Sequence, residues 1–319
     1  MKKALITGVS GQDGAFLAKL LLEKGYKVYG TSRDNYNMDL RKLKSLGVEK
    51  EIEYLSIAVN DFRSVFKTIN EVRPNEIYNL SGQSSVGLSF EQPVDTFESI
   101  AIATLNILES IKMIDTSIKF YNAGSGECFG DTGEKIVTEN DKFQPNSPYA
   151  VAKSTAYWQV QNYREAYDLF ACTGLLFNHE SHLRGNRFVT KKIITTVCNI
   201  HKKLENELIL GNIDISRDWG WAKEYVEAMY LMLQQKNADD FIIATGETRS
   251  LKEFIDIAFS YFNLNYKDYL VVDKSLYRPS DILINRANPS KAKKNLNWEA
   301  KYSLEKIIQN MIEEELCEN

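Results

Sequence analysis

Tyr149 and Lys153 lie four positions apart, a spacing that can support acid–base chemistry. On a helix, residues i and i+4 share one face, so the phenol and the ammonium would be neighbours. A tyrosine with a pKa of about 10 is a poor base at neutral pH. A nearby ammonium and a positively charged redox ring would favour the phenolate, which could take a hydroxyl proton while hydride leaves the same carbon. The alternative is a solvated Tyr and Lys on a helix face.

Ser125 and Glu127 stand in a polar loop that follows an apolar run beginning at Ile118. In a doubly wound sheet, residues just past the carboxyl ends of strands line the ligand crevice. Ser125 can therefore meet the hydroxyl that Tyr149 attacks. Glu127 adds a carboxylate that can remove a proton from an acidic carbon and protonate a leaving hydroxyl. The alternative for Glu127 is a surface glutamate in a polar loop.

A glycine-rich stretch follows the first apolar run and precedes a helical segment. Gly8, Gly11 and Gly14 form the pattern G-x-x-G-x-x-G. Such glycines permit a tight turn in which backbone N–H groups at a helix N-terminus face a pyrophosphate. We therefore expect a bound dinucleotide. The alternative is a glycine-rich turn with no ligand.

The residues after the second apolar run distinguish the two nicotinamide dinucleotides. An acidic residue there would bind the adenosine ribose hydroxyls of NAD. Here Ser32 and Arg33 follow, and Arg33 is placed to pair with a 2′-phosphate. The sequence thus predicts NADP rather than NAD. The alternative for Arg33 is a solvated surface arginine.

Seven apolar runs and the amphipathic segments between them predict the framework that positions these residues. The runs are Ala4–Thr7, Val28–Thr31, Ile52–Leu55, Glu76–Leu80, Ile118–Asn122, Cys172–Phe177 and Phe241–Thr245. Ser147 and Pro148 predict the start of a long helix reaching about Tyr167, because serine is a good N-cap and proline suits the first helical position. The alternation favours an α/β fold, a Rossmann-like doubly wound parallel sheet with a smaller C-terminal α/β substrate lobe.

The C-terminal third has shorter elements, yet residues 225–233 form a helical pattern typical of the main domain. The two lobes are therefore expected to interleave in sequence. We assign residues 1–180 plus about 215–245 to an NADP-binding domain, and about 181–214 plus 246–319 to a smaller substrate-binding lobe.

The composition, 44% hydrophobic and 26% charged, is ordinary for a soluble globular protein. A net charge of −4 offers no general attraction to nucleic acid or an anionic membrane, so neither partner is expected. No apolar run approaches the ~20 residues of a membrane span, and the first run is too short for a signal peptide, which predicts a cytoplasmic protein. Four widely spaced cysteines and three histidines predict no metal site.

Several segments, in order along the chain, carry a family resemblance. They are GVSGQDGAFLAKLLLEKGY, EIYNLSGQSSVGLSFEQP, SPYAVAK, LFNHES, FVTKKI, Arg217–Gly220 and Tyr277–Pro279. From about residue 3 to about residue 310, the chain resembles the GDP-mannose 4,6-dehydratases of the extended short-chain dehydrogenase/reductase superfamily.

The resemblance implies a role for each residue that falls on a family position. The implied catalytic residues are Ser125, Glu127, Tyr149 and Lys153. The implied NADP-binding residues are Gly8, Ser10, Gly11, Gln12, Asp13, Gly14, Arg33, Leu80, Gly82, Gln83, Tyr149 and Lys153. The implied GDP-sugar-binding residues are Ser84, Asn178, Val189, Lys192, Arg217 and Arg278. The cations suit that role because a diphosphate needs charged donors in an otherwise acidic protein.

The reaction that the resemblance implies is redox-neutral. Tyr149 would remove the proton from the sugar O4 while NADP⁺ takes hydride from C4. The 4-ketone would acidify the C5 hydrogen, and Glu127 would remove it and help to expel the C6 hydroxyl as water. Hydride would then return to C6. The implied product is a 4-keto-6-deoxy sugar nucleotide, and the cofactor ends as it began.

The sequence departs from the family pattern at several points. Gly126 replaces a second hydroxyl residue, residues 182–184 replace Pro-Arg-Arg, and residues 57–58 replace a Gly-Asp pair near the adenine. The arm after Arg33 looks short, and in the family this arm helps to build a tetramer. A homo-oligomer is expected, with dimer and tetramer both open.

Three other functions stay open at this point. A GDP-manno-heptose would use the same machinery, because its extra carbon lies beyond C6. A sugar-nucleotide epimerase or 4-keto reductase of the superfamily needs Tyr149 and Lys153 but no carboxylate at position 127. A cofactor-sensing regulator usually lacks the tyrosine or the lysine, and both are present here.

Overall fold

A computed structural model describes residues 1–318 of the 319-residue chain. Its central layer is a seven-stranded sheet of β1 (Lys3–Thr7), β2 (Lys27–Ser32), β3 (Glu53–Ser56), β4 (Glu76–Asn79), β5 (Lys119–Ala123), β6 (Ala171–Leu176) and β10 (Phe241–Ile243). The spatial order is β10-β6-β5-β4-β1-β2-β3, and every pairing is parallel. The sequence predicted each strand to within about two residues at either end.

Helices cover both faces of this sheet. They are α1 (Gln12–Glu23) and α9 (Ala222–Leu233) on one face, and α3 (Phe62–Val72), α6 (Ala103–Ile114) and α7 (Pro148–Tyr167) on the other. Because side chains alternate along a strand, Ala4 and Ile6 of β1 enter the core beneath α1 while Leu5 enters the opposite core. The predicted doubly wound parallel sheet is confirmed.

The long helix α7 begins where the sequence predicted. The Ser147 hydroxyl accepts a hydrogen bond from Ala150 N at 3.1 Å, and Pro148 occupies the first turn. The helix ends at Tyr167, and Asp168 follows in the left-handed region with a φ of 54°. These two ends fix the position of Tyr149 and Lys153 relative to the sheet.

A second, smaller core forms mainly from residues after β6. Its sheets contain β7 (Asn178–Glu180), β9 (Ser216–Trp221) and β11 (Thr248–Ser250) in the order β11-β9-β7, and β8 (Leu208–Leu210) paired with β12 (Leu270–Val272). Its helices are α8 (Val189–His201), α10 (Leu251–Ser260) and α12 (Leu304–Glu318). Trp219 and Trp221 pack in this core, whereas Tyr225 packs beneath the central sheet. The chain therefore passes from one core to the other at the start of α9.

Short helices and single turns complete the fold. They are α2 (Arg41–Ser45), α4 (Val86–Glu91), α5 (Pro93–Phe97), α11 (Ser290–Leu296), a π turn at Glu98–Ile102, and 3₁₀ turns at Gly126–Phe129, Tyr266–Asp268 and Lys274–Leu276. Within residues 1–318, no helix is both long and apolar enough to cross a membrane.

Candidate active site

A cleft of about 600 Å³ lies at the carboxyl ends of the central strands. Leu80 follows β4, Ala123 ends β5 and Leu176 ends β6, and all three line this cleft. Arg217 and Trp219 line it from β9 of the second core. Every residue predicted to contact a cofactor or a substrate lines the same cleft, with the exception of Lys192.

Tyr149 and Lys153 lie in the first two turns of α7, and both are buried. The Lys153 Nζ donates a hydrogen bond to Ala123 O at 2.7 Å. The same Nζ lies 5.7 Å from the centroid of the Tyr149 ring. The catalytic helix is therefore tied directly to the end of β5, and the two side chains share one face as the i, i+4 spacing predicted.

Ser125 and Glu127 form the start of the turn that follows β5. The Ser125 hydroxyl caps this turn by accepting a hydrogen bond from Glu127 N at 3.2 Å. A Cβ on Gly126 would lie 2.9 Å from the ring of Phe177, and a Cβ on Gly124 would lie 2.6 Å from Thr173 Cγ2. Gly126 is thus required by packing against Phe177, which explains this departure from the family pattern.

Burial dominates the acid–base properties of Tyr149 and Lys153. It raises the pKa of Tyr149, and the neighbouring Ser125 hydroxyl opposes this rise. Burial also lowers the pKa of Lys153, to about 8. The sequence predicted that the ammonium favours the phenolate, but in the structure the ammonium is bonded to a backbone carbonyl. The phenolate therefore needs further positive charge in the cleft.

Glu127 faces two arginines across the cleft. Its Oε1 lies 4.0 Å from Arg217 Nε. Burial raises the pKa of the Glu127 carboxyl, and Arg217 and Arg278 partly offset this rise. Asp281 Oδ1 lies 3.6 Å from an Arg217 nitrogen and 3.5 Å from an Arg278 nitrogen. The two guanidiniums thus converge on one side of the cleft, beside a carboxyl whose pKa is raised by burial.

The glycine loop between β1 and α1 is closely packed. Gly8 has a φ of 75°, and a Cβ there would lie 2.8 Å from Leu80 O. A Cβ on Gly14 would lie 2.3 Å from Gly8 O. Helix α1 begins at Gln12 without a side-chain cap, so its first N–H groups are available to an anion in the cleft. Free backbone N–H groups and glycines in close contact are the features that the predicted pyrophosphate site requires.

The segment after β4 forms the wall of the cleft beside this loop. Gly82 has a φ of 115°, a value that favours glycine. The Gln83 side-chain amide donates to Ser85 O at 2.7 Å and to Thr96 Oγ1 at 3.2 Å. Ser84, between Gln83 and Ser85 in the chain, is exposed and lines the cleft. These bonds hold the predicted cofactor-binding segment against α5.

Arg33 follows β2 at the edge of the cleft and is exposed. Its guanidinium makes no hydrogen bond or ion pair with another residue of the described chain. A cation free of protein partners at this point is available to an anionic ligand.

The predicted substrate-binding residues are divided between the two cores. Asn178 and Val189 line the cleft from the first residues of β7 and α8. Lys192, one turn further along α8, is exposed and lies outside the lining of the cleft. The structure therefore brings together all of the predicted substrate-binding residues except this lysine.

An ion pair that the motifs did not identify connects the glycine loop to the second core. Asp13 Oδ2 lies 2.9 Å from His179 Nε2, and His179 Nδ1 bonds to Phe177 O at 2.7 Å. Burial alone would raise the pKa of Asp13, but His179 brings it down to about 2. The Asp13 carboxylate in turn raises the pKa of His179 against the effect of burial. His179 is therefore a paired histidine in the cofactor cradle.

Two arginines of the cleft were also missed as site residues. Arg184 Nε lies 3.2 Å from Glu180 Oε2, and its guanidinium stacks 3.7 Å above the Phe188 ring. Arg187 is exposed and lines the cleft nearby. A single arginine in a loop gives no sequence signal of where it points, so only the fold could place these two.

His179 and His182 do not form a metal pair. They lie on and just after a strand, where His182 packs edge-on against the Phe16 ring while His179 pairs with Asp13. Among residues 1–318, no group of three or more His, Cys, Asp or Glu side chains is arranged to hold a metal ion.

Comparison with known proteins identifies the family. The family model of GDP-mannose 4,6-dehydratase matches residues 5–311. GDP-mannose 4,6 dehydratase 1 of Arabidopsis thaliana is 44% identical over 99% of this chain and 90% of its own length. The GDP-mannose 4,6 dehydratase of Homo sapiens is 39% identical over 97% of this chain and 90% of its own length. A Vibrio cholerae GDP-mannose 4,6-dehydratase is 38% identical over 99% and 94%.

Solved structures support the fold. Pal from Bacillus thuringiensis superimposes with a TM-score of 0.88 at 21% identity, covering 99% of this chain and 100% of its own. A dTDP-glucose 4,6-dehydratase from Bacillus anthracis, in complex with NAD, gives a TM-score of 0.86 at 20% identity, covering 100% and 97%. The resemblance found in the sequence is confirmed over nearly the whole chain: this protein belongs to the GDP-mannose 4,6-dehydratase family.

Proposed function

We propose that this enzyme removes water from GDP-mannose, giving GDP-4-keto-6-deoxymannose, with NADP as a bound cofactor. The observation that carries the proposal is that Glu127 lies in the same cleft as the Tyr149–Lys153 pair. Oxidation at a carbinol carbon needs only the tyrosine and the lysine. A buried carboxylate beside them supplies the additional acid–base group that an elimination requires.

The first half of the reaction is a proton transfer at the sugar O4. When bound, the nicotinamide of NADP would accept hydride from C4 and later return it to C6. In that last step C5 would take up a proton, which balances the proton removed from O4. Ser125 donates a hydrogen bond that orients the O4 hydroxyl, and Tyr149 takes its proton. Burial disfavours the phenolate, so this step depends on the positive charge that Lys153 and the oxidised nicotinamide bring to the phenol.

The second half of the reaction belongs to Glu127. The 4-ketone makes the C5 proton acidic, and the Glu127 carboxylate removes it. The same carboxyl then delivers a proton to the departing C6 hydroxyl, which leaves as water. A buried carboxyl with a raised pKa suits both tasks. Its carboxylate form is a stronger base toward C5, and its acid form can still protonate the leaving hydroxyl.

The diphosphate is assigned to the cationic side of the cleft. Arg217 is almost fully buried and Arg278 is partly exposed, so one would hold the inner part of the ligand and the other its outer part. Planar guanidiniums bind phosphate oxygens in pairs, which fixes the orientation of the sugar. Asn178 and Val189 would contact the part of the ligand that lies between the two arginines. Lys192 stays a proposed contact, reaching the ligand from the rim.

NADP is proposed over NAD because of Arg33. Its guanidinium stands at the end of β2, where the adenosine ribose of a dinucleotide lies in doubly wound folds. An exposed arginine that has no protein partner can pair with a 2′-phosphate at little desolvation cost. Gly8, Gly11 and Gly14 would hold the pyrophosphate against the start of α1.

The proposal is tested by incubating the purified enzyme with GDP-mannose and measuring the product mass. A product lighter than the substrate by one water is expected. A parallel screen with GDP-manno-heptose, UDP-sugars and CDP-sugars distinguishes the alternative substrates. An epimerase would give a product of unchanged mass. Absence of water loss from both GDP-sugars would refute the dehydratase function.

A homo-oligomer is proposed from the outer surface of the helical layer. Helices α5 and α7 pack side by side, and Val94, Val151 and Trp158 expose 68%, 43% and 56% of their surface on them. Exposed apolar side chains on two packed helices favour burial between subunits. Light scattering after size-exclusion chromatography distinguishes a dimer from a tetramer. A monomer at micromolar concentration would refute the proposal.

A cytoplasmic location is proposed from the cysteines. All four are free thiols in the structure, and one of them, Cys317, is exposed. Thiols persist where the compartment is reducing. Cell fractionation with an antibody to the protein tests this location, and recovery in an extracellular fraction would refute it.

A further inference from the structure

Residues 283–288, which we call the linking segment, run beside β9. Asn285 N donates to Ser216 O at 3.2 Å, and Ser216 N donates to Leu283 O at 2.7 Å. Arg217 follows Ser216, and its guanidinium donates to Ser216 O at 3.0 Å. The linking segment is therefore fixed to the strand that carries the buried arginine of the cleft.

The side chain of Asn285 extends to the opposite side, toward the catalytic turn. Its Nδ2 donates to Gly126 O at 3.3 Å and to Gly130 O at 3.1 Å. These two carbonyls bracket the turn that carries Glu127. Asn285 is only 3% exposed, so both hydrogen bonds are shielded from water.

The turn needs an external partner to define its position. Its own bonds, from Cys128 N to Ser125 O and from Gly130 N to Glu127 O, are local. They shape the turn, and Gln144 N, which donates to Cys128 O at 2.9 Å, ties it to the segment before α7. None of these bonds fixes the turn relative to β9. A buried carbonyl that loses its donor is costly, so the Asn285 amide holds the turn in one place.

We propose that Asn285 is a positioning residue for Glu127, because one side-chain amide ties the acid–base turn to the strand that carries Arg217. This inference rests on the proposed dehydration. Asn285 contacts neither the cleft nor the reacting atoms, and it acts by keeping the Glu127 carboxylate at its 4.0 Å separation from Arg217. The oxidation at C4 is carried out mainly by Tyr149 and Lys153 on α7, with Ser125 at the first position of the turn, so it should depend on this tie less than water loss does.

The test separates the two half-reactions in single-turnover experiments with GDP-mannose and the NADP-loaded enzyme. The absorbance of reduced cofactor reports oxidation at C4, and mass spectrometry of quenched samples reports water loss. For Asn285→Leu, which removes the amide at similar volume, oxidation should stay within about threefold of wild type. Water loss should slow by about 10- to 100-fold, as expected for a misplaced catalytic group. Reduced cofactor should therefore accumulate transiently.

A pH profile adds a readout that a purely structural defect would not move. If the turn drifts from Arg217, the Glu127 carboxylate loses an attraction that lowers its pKa. The acidic limb of the water-loss rate should then shift to higher pH in Asn285→Leu. An unchanged limb together with equal slowing of both half-reactions would overturn the proposal.

Thr132→Val is the matched control. Thr132 Oγ1 also bonds to the linking segment, donating to Ile284 O at 3.3 Å and accepting from Arg286 N at 3.0 Å, but it does not touch the Glu127 turn. In Thr132→Val, the rate of water loss relative to the rate of C4 oxidation should be the same as in wild type.

If Asn285→Leu does not fold, the same two half-reactions are measured in Asn285→Ser, whose hydroxyl is a smaller hydrogen-bond donor. Water loss at the wild-type rate in the Asn285 variants would overturn this inference alone. No water loss in the wild type would overturn the proposed function with it.

Discussion

Replacing Glu127 by Gln separates the chemistry of the carboxylate from its packing. Glutamine keeps the shape of the side chain but can neither take the C5 proton nor deliver it to the leaving hydroxyl. General acid–base groups contribute about 10²- to 10⁴-fold to a rate. Water loss should therefore slow by that factor, equivalent to about 3–5 kcal/mol of barrier. Oxidation at C4 by Tyr149 should persist.

The structure also sets the expected effect of this change on stability. Unit charges 4.0 Å apart, the separation of Glu127 from Arg217, attract by about 4 kcal/mol at an effective dielectric of about 20. Burial nevertheless raises the pKa of Glu127, so desolvation outweighs this attraction and that of Arg278. A carboxyl whose pKa is raised on folding destabilises the fold at pH values above that pKa. At pH 7 the Gln variant should thus be as stable as wild type or more stable.

The assay combines single-turnover kinetics with denaturant unfolding. The reduced-cofactor signal should rise and persist in Glu127→Gln, while the dehydrated product stays near background. The stability difference should vanish as the pH falls below the ordinary glutamate pKa of 4.5, where the carboxyl is protonated in both states. Glu139→Gln is the matched control, because Glu139 accepts a hydrogen bond from Ile242 N outside the cleft. Normal water loss in Glu127→Gln would refute the acid–base assignment.

Three further changes probe other parts of the site. Arg33→Ala should lower the preference for NADP over NAD by about 10- to 100-fold in kcat/KM, since a charge-assisted pair to the 2′-phosphate is lost. Lys153→Met should remove a buried ammonium whose pKa falls from 10.5 to about 8 on folding. A lysine with a lowered folded pKa destabilises the fold most below pH 8 and progressively less up to pH 10.5, so the stability gain of Lys153→Met over wild type should be about 2–3 kcal/mol larger at pH 7 than at pH 10. Gly126→Ala should lower the free energy of unfolding by about 1–3 kcal/mol, because the new Cβ would meet the Phe177 ring.

Each of these predictions has a result that contradicts it. An unchanged cofactor preference in Arg33→Ala would remove the argument for NADP. A stability difference independent of pH in Lys153→Met would show that the ammonium is not desolvated. The double variant Gly126→Ala/Phe177→Leu should recover part of the lost stability, and no recovery would assign the strain elsewhere.

The central sheet was predictable because parallel strands buried on both faces are continuous apolar runs. The long helix was predictable because Ser147 and Pro148 carry an unambiguous start signal. The strands β7, β8, β11 and β12 of the second core were not found, since each has only three residues and so short a run carries no measurable period. Their pairing is decided by the second core, which brings together residues far apart in sequence.

The residues proposed for catalysis and for cofactor binding were predicted from local motifs, several of them in loops that follow strands. The partners of those residues were not. Neither His179 nor Asn285 was singled out by a motif. Both act through contacts with residues more than 150 positions away in the chain, such as Asp13 and Gly126. Sequence spacing cannot report contacts of this kind, whereas the geometry of the fold reports them directly.

The first turn of α7 has an electrostatic consequence for Tyr149. The aligned peptide dipoles of a helix place about half a positive elementary charge at its amino end. Tyr149 is the second residue of a 20-residue helix, and side chains on a helix incline toward that end. A phenolate formed at Tyr149 would therefore lie in the field of the helix, with the Lys153 ammonium 5.7 Å from its ring centroid. The proline that starts the helix thus fixes where an oxyanion is favoured, and the same tyrosine placed a few turns later would lose that support.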